Sequence, residues 1–160
     1  MDDLDGRVID LFAQEPRIGV LEASRRLGVA RGTVQARLDK LVASGVVTGW
    51  GPELSPAALG YPVTAFLTLE IRQDASEHQG HQGGHEVVGA HLAGIAEVIE
   101  AHTITGAGDM WVRVVARSNT DLQRVIDRVL AEPAIVRSST VIALATQVPH
   151  RVLPLARTAR

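Results

Sequence analysis

From about Ile18 to Leu54 the chain leaves itself few alternatives. Val34, Leu38, Leu41 and Val42 recur at i, i+4, i+7 and i+8, one apolar stripe at the helical period. With that stripe turned inward, Gly32, Thr33, Ala36 and Lys40 point outward, and Gln35, Arg37 and Asp39 lie on the flanks. Val20 to Leu27 reads as a second short helix, and Gly28 supplies the break between the two. Two short helices joined by a tight Gly-containing turn make a helix-turn-helix, whose second helix has the shape to enter a DNA major groove. The run Val46 to Leu54 reads as a small β-hairpin, which would act as a wing. The expectation is a winged helix-turn-helix, with the rest of the chain pairing and regulating it.

A chain of 160 residues holds one ordinary domain or two small ones, and it is long enough to bury a core. Aromatic residues make up only 3% of it, so that core must be built of Val, Leu, Ile and Ala. The absence of cysteine excludes disulfides, thiolate metal sites and a thiol nucleophile. No apolar run approaches the ~20 residues that cross a bilayer. The start Met1-Asp2-Asp3 is unlike a signal peptide, which predicts a soluble, cytoplasmic protein without membrane partners. The net charge of −2 does not advertise a nucleic-acid binder, but its distribution does. Between Ser24 and Leu41 stand Arg25, Arg26, Arg31, Arg37 and Lys40 against the single acid Asp39.

A first helix is predicted from Leu4 to about Gln14, with Asp2, Asp3 and Asp5 at the positive end of its dipole and Pro16 stopping it. The recognition helix begins near Ala30, which has no side-chain oxygen to cap it. Beyond the Pro- and Gly-containing stretch 55–62 the pattern changes to strand period. Val63, Ala65, Leu67, Leu69 and Ile71 alternate with Thr64, Phe66, Thr68 and Glu70. Gln73 to His85 reads as a polar, Gly-rich loop, Glu86 to Ala93 as a helix, and Val98 to Ile104 and Met110 to Ala116 as strands. Thr120 to Leu130 reads as a helix capped by Asn119 or Thr120, and Ile135 to about Val148 as a last strand. The order β-α-β-β-α-β is the split βαβ, or ferredoxin-like, arrangement. The fold class is therefore α+β, with a winged helix-turn-helix over 1–54, a linker over 55–62, a ferredoxin-like domain over 63–150 and a tail over 151–160. One sheet face is left without helices and carries Val and Ile, which predicts a homodimer.

RIGVLEASRRLGV, then TVQARLDKLVASGVVTGWGPELSPAALGYPVTAF, then the Thr105–Asp109 loop and the Thr140–Ala143 strand together resemble the Lrp/AsnC family of transcriptional regulators over nearly the full length. The resemblance implies a DNA-binding winged helix-turn-helix joined to a ferredoxin-like effector domain, and dimers that associate further, often to octamers. It implies a small effector, commonly an amino acid or similar metabolite, bound between neighbouring effector domains near Gly106 to Asp109. Three positions depart from the family pattern. Ala30 replaces a capping serine, Gly108 stands where an aromatic is frequent, and the stretch 73–85 is longer and richer in histidine.

The residues expected at DNA are Arg31, Gly32, Thr33, Gln35, Ala36, Arg37 and Lys40. Gly32 and Ala36 bring the backbone close to the groove, Thr33 suits a thymine methyl, and Arg37 and Lys40 suit phosphates. With so few long side chains, much of the specificity would come from DNA shape. On this reading Arg37→Ala weakens binding to all sequences alike and flattens its salt dependence. Trp50 either approaches the DNA backbone or packs under the wing. Gly106, Gly108 and Asp109 are the expected effector contacts, because an acid beside exposed backbone suits an ammonium and a carboxylate, and the bland alternative is a plain hairpin connection. Thr140, Val141 and Ile142 join them by resemblance, and would otherwise be ordinary strand core. His78, His81 and His85 have the spacing of a Zn²⁺ or Ni²⁺ site, but a solvated insertion explains them more simply, so no metal or other cofactor is expected. No nucleophile elbow, phosphate loop or paired acids suggest an enzyme. The expected function is thus a sequence-specific transcriptional regulator modulated by a small effector. Its rival is a ligand-binding or metal-responsive ferredoxin-like module that does not bind DNA.

Overall fold

The computed structural model describes residues 1–72 and 83–158, and the chain divides into two compact units. Met1–Glu53 and the segment from Gln147 onward form one, and Leu54–Thr146 form the other.

The first unit holds α1 (Asp3–Gln14), α2 (Val20–Leu27) and α3 (Arg31–Ala43) around a core of Val8, Ala23, Leu27, Val34, Leu38 and Leu41. α1 begins in a capping box. Asp2 accepts the Asp5 N–H at 2.9 Å, and Asp5 accepts the Asp2 N–H at 3.1 Å. α2 ends where Gly28 turns left-handed at φ 70°, and the Gly28 and Val29 N–H groups bond back to the Arg25 and Ser24 carbonyls. That is a Schellman turn, which satisfies two orphan carbonyls and redirects the chain within three residues into α3. Ala30 opens α3 without a side-chain cap, as its methyl group dictates.

Two local expectations are corrected. Val42 is 47% exposed, because it stands one helical step (about 100°) past Leu41 and leaves the buried stripe. The hairpin expected from Val46 to Leu54 contains no strand among the described residues. Gly49, Gly51 and Pro52 leave too few residues for a ladder, and a lone two-stranded ribbon is marginal in water. The segment is held instead by the Val47 N–H on the Leu41 carbonyl at 3.1 Å and by Trp50, edge-on to Phe12 at 5.7 Å. Residues 153–158 of the expected tail form a short helix, α6 (Leu153–Thr158), which packs on α1 through an Arg157–Asp10 ion pair at 2.9 Å.

The second unit is a four-stranded antiparallel sheet built from β1 (Val63–Ile71), β2 (Val98–Thr103), β3 (Met110–Ala116) and β4 (Ile135–Ile142), in the order β2-β3-β1-β4. α4 (Gly84–Ala93) and α5 (Asn119–Val129) cover one face. Val88 and Leu92 of α4 and Leu122, Val125 and Val129 of α5 meet Ala65, Leu67, Leu69 and Ile71 of β1, all at most 5% exposed. This is the expected ferredoxin-like arrangement, with the expected face of β1 inward.

Several boundaries move, and α4 begins at Gly84, inside the loop expected to run to His85. Ser118 caps α5, accepting the Asp121 N–H at 3.0 Å, so the cap precedes both Asn119 and Thr120. β4 ends at Ile142, not near Val148, because its partner runs out. Ala65 pairs with Ile142, Ala143 makes the last rung to the Thr64 carbonyl at 2.9 Å, and Pro62 just before β1 has no N–H to continue the ladder.

Candidate DNA-reading helix and ligand cleft

On α3, Arg31, Gly32, Gln35, Ala36 and Lys40 are exposed, while Thr33 and Arg37 are half-buried. Val34, Leu38 and Leu41 hold the opposite side in the core, so the exposed five form a continuous outer face. The helix start that faces solvent there has no acid in its first turn and no side-chain cap. Gln35 donates to Asp39 at 2.8 Å, one turn along.

Arg37 and Lys40, expected at phosphates, both reach carboxylates at the start of α1. Arg37 bonds Asp2 and also Asp5, at 2.9 Å, while Lys40 lies 3.3 Å from Asp5. Asp5 is fully buried. Burial alone would raise its pKa, but the Asp2 N–H and the Arg37 and Lys40 side chains outweigh that and hold it below the usual carboxylate value. Asp2 is lowered too, first by the Asp5 N–H and then by Arg37. Asp5 is the residue that sequence reasoning underrated. The Asp2-x-x-Asp5 spacing of a capping box was the available signal, but the arginine that completes it comes 32 residues later.

In the second unit the β2–β3 loop turns through Gly106 and Gly108, at φ 107° and 106°. A Cβ on Gly108 would stand 2.4 Å from the Thr68 methyl carbon, so the aromatic frequent at this place would displace the loop. Asp109 is tied to β1, its N–H donating to the Leu69 carbonyl at 2.8 Å and one carboxylate oxygen accepting the Ile71 N–H at 2.7 Å. That bond falls where the β1–β4 register shifts, between Glu70 and Ile71. Gly106, Gly108 and Asp109 thus sit together against the end of β1. Thr140, Val141 and Ile142 lie farther along the ladder, opposite Leu67, Phe66 and Ala65. The β4 residues beside the loop are instead Arg137, Ser138 and Ser139, which with Thr68, Glu70 and Ala107 line a cleft of about 260 Å³. The resemblance singled out Thr140, Val141 and Ile142, and it did not single out these polar residues at the other end of the strand.

His78 and His81 lie outside the described residues. His85 stands near the start of α4, its Nδ1 buried without a hydrogen-bond partner, and no group of three metal-ligating side chains occurs among the described residues. His91 donates from Nε2 to the Arg128 carbonyl, 2.9 Å away, in a structural role between the two covering helices. No helix of the described residues is long and apolar enough to cross a membrane.

The chain matches family models for a winged helix-turn-helix DNA-binding domain over residues 1–48 and for the Lrp/AsnC ligand binding domain over residues 64–153. It is 26% identical to the HTH-type transcriptional regulator FL11 of Pyrococcus horikoshii over 155 residues, 97% of each chain. It is 28% identical to the regulatory protein AsnC of Escherichia coli over 155 residues, 96% of this chain and 97% of that one. The solved structure of E. coli AsnC superposes with a TM-score of 0.83 at 26% identity, covering 96% and 99% of the two chains. A Neisseria meningitidis transcriptional regulator solved in complex with L-Met shares the fold, with a TM-score of 0.78 at 20% identity over 94% and 93% of the two chains. A recognition helix set by a Schellman turn, a ferredoxin-like unit later in the sequence and full-length matches of this kind make the chain a member of the Lrp/AsnC family of DNA-binding transcriptional regulators.

Proposed function

We propose that the protein binds duplex DNA through the outer face of α3, and that an amino acid or closely related metabolite held by the ferredoxin-like unit sets that binding. The observation that carries the first half is the outer face itself. Arg31, Gly32, Gln35 and Ala36 surround an exposed helix start whose first N–H groups meet no acid and no cap. Such an end favours phosphate oxygens, and the small residues let the backbone approach a groove. Thr33, Arg37 and Lys40 border the same face, the latter two sharing their charge with Asp5. We assign DNA binding to 1–54, the link to 55–62, and the effector and pairing role to 63–150, of which the residues from Gln147 onward group with the first unit.

The effector half draws support from the cleft beside Gly106, Gly108 and Asp109 and from the L-Met found with the Neisseria relative. Assembly is proposed through the helix-free sheet face, to a dimer and onward to an octamer. Phe66 and Trp111 stack there at 5.0 Å, and Val141 is 60% exposed. We place the protein in the cytoplasm and assign it no catalytic role and no metal. Mobility shifts on the DNA upstream of its own gene test the reading, at two salt concentrations and with and without an amino-acid pool. Salt-steep binding that the pool alters is expected. A folded protein that shifts no duplex in either salt would move the assignment to a ligand-binding module.

A further inference from the structure

From Thr48 to Glu53 the chain has no helix or strand, and two cavities open around this stretch within the first unit. The larger measures about 510 Å³ and includes Glu53 and, from α6, Leu153 in its wall. The smaller measures about 300 Å³ and includes Asp39. Phe12, Pro16, Leu38 and Trp50 border both. The larger falls within the ~300–1,000 Å³ of sites that take drug-sized ligands.

The charge around this space has one sign. No Lys, Arg or His lines either cavity. Among the described residues Glu53 joins no ion pair, and Asp39 is met by the neutral Gln35 amide at 2.8 Å. Phe12 and Ala13 stand in the last turn of α1, the negative end of a helix dipole, and no basic residue offsets it there. The Trp50 indole N–H is the one side-chain donor lining the larger cavity, and Pro16 and Pro52 have no N–H. An anion, or the carboxylate of a zwitterion, would find no positive side chain.

The aromatic wall supplies the complement. Trp50 is 56% exposed and meets Phe12 edge-on at 5.7 Å, so ring surface is left over. The face of an indole attracts a cation within about 6 Å of the ring centroid, more strongly where water is excluded. An apolar body with one positive charge would bury its carbon surface against Ile9, Phe12 and Val47, which the core covers only in part. Its charge would then lie between the Trp50 ring and Glu53. A neutral molecule of the same shape would gain the apolar contribution alone.

We propose that the first unit carries a ligand site beside Trp50 for a lipophilic monocation, an aromatic or branched-alkyl group bearing a quaternary or protonated amine. Trp50 and Glu53 hold its charge. This site is separate from the effector cleft in the second unit and does not rest on that reading.

Three probes with one apolar body and different charge test it by calorimetric titration of the full-length protein: (4-tert-butylbenzyl)trimethylammonium, 4-tert-butylbenzyl alcohol and 4-tert-butylphenylacetate. The cation should bind at least about tenfold tighter than the alcohol, and the anion weakest. Glu53→Gln should weaken the cation by about threefold or more and leave the alcohol unchanged, with the melting temperature of the parent. Trp50→Leu, which keeps an apolar side chain, should bring cation and alcohol within about threefold of each other. Trp111→Phe leaves Trp50 as the sole tryptophan, and its emission should change with the same midpoint as the heat. No heat with the cation, equal binding of the three probes, or a Trp50 emission that ignores the cation would overturn the proposal. So would a Glu53→Gln protein that binds the cation like the parent, and that variant decides alone if Trp50→Leu does not fold.

Discussion

Arg37 and Gly108 each take their meaning from a residue far away in the chain. Arg37 lies on the border of the outer face of α3, yet its guanidinium completes the buried carboxylate of Asp5. Arg37→Ala is therefore expected to lower the melting temperature and leave base preference unchanged. Asp5→Asn added to it should cost less than Asp5→Asn alone, because the two residues share one interaction. Melting curves of the four proteins and shifts on a panel of operators check both points. Gly108 stands at φ 106° with Thr68 against it, so Gly108→Ala should destabilise the second unit by about 1–3 kcal/mol, read in a urea melt. Neither role was visible as a local pattern. The glycine could be singled out in the sequence, but the Thr68 methyl that makes it obligatory lies 40 positions upstream, across the β1–β3 pairing.

Helices α2 and α3 were legible almost to the residue, since the Gly28 break and the 3.6-residue period both act within a few positions. The alternation in β1 was equally clear, because one face had to be buried under helices. Elements whose limits depend on a partner were less so. β4 stops where β1 stops, and the expected wing lacks a ladder because nothing pairs with it. The end of α3 invites a direct test. Ala30 already has the extended backbone of a cap residue, φ −63° and ψ 147°, so Ala30→Ser needs no rearrangement. A serine hydroxyl there should accept an orphan N–H and stabilise the first unit by about 1 kcal/mol, seen as a higher melting temperature. The same hydroxyl would compete for N–H groups proposed for phosphate, so DNA affinity should not rise with stability.

Over the whole molecule, both units carry a buried carboxylate clasped by basic side chains. In the second it is Glu97, 7% exposed, with Arg124 at 2.9 Å and Arg128 at 3.0 Å. The Arg124 hydrogen bond, against the opposing cost of burial, holds Glu97 below its ordinary value. Depressed carboxylates stabilise the fold fully above their unfolded values, 3.8 for Asp and 4.5 for Glu, and that contribution fades as pH falls through the lower folded values. The melting temperature should therefore hold steady from neutrality down to about pH 5 and fall below about pH 4. Glu97→Gln should remove part of that acid sensitivity and lower stability at pH 7. For the assembly proposed above, Val141→Glu places a charge on the helix-free sheet face, and sedimentation should show the parent as the proposed dimer and the variant as monomer.

The sequence by itself determined the helix-turn-helix, the βαββαβ order and the buried face of β1, because periodicity, Gly breaks and strand alternation act over a few residues, and the resemblance of its motifs pointed to the family. Only the tertiary structure decided that Arg37 and Lys40 serve Asp5, that Asp109 bonds the Ile71 N–H, and that Arg137 meets Glu70 across a polar cleft. Those partners are 32 to 67 positions apart, and no local propensity selects between them and solvent. Close packing of the folded chain does, since it alone sets which charges lose their water and must find each other.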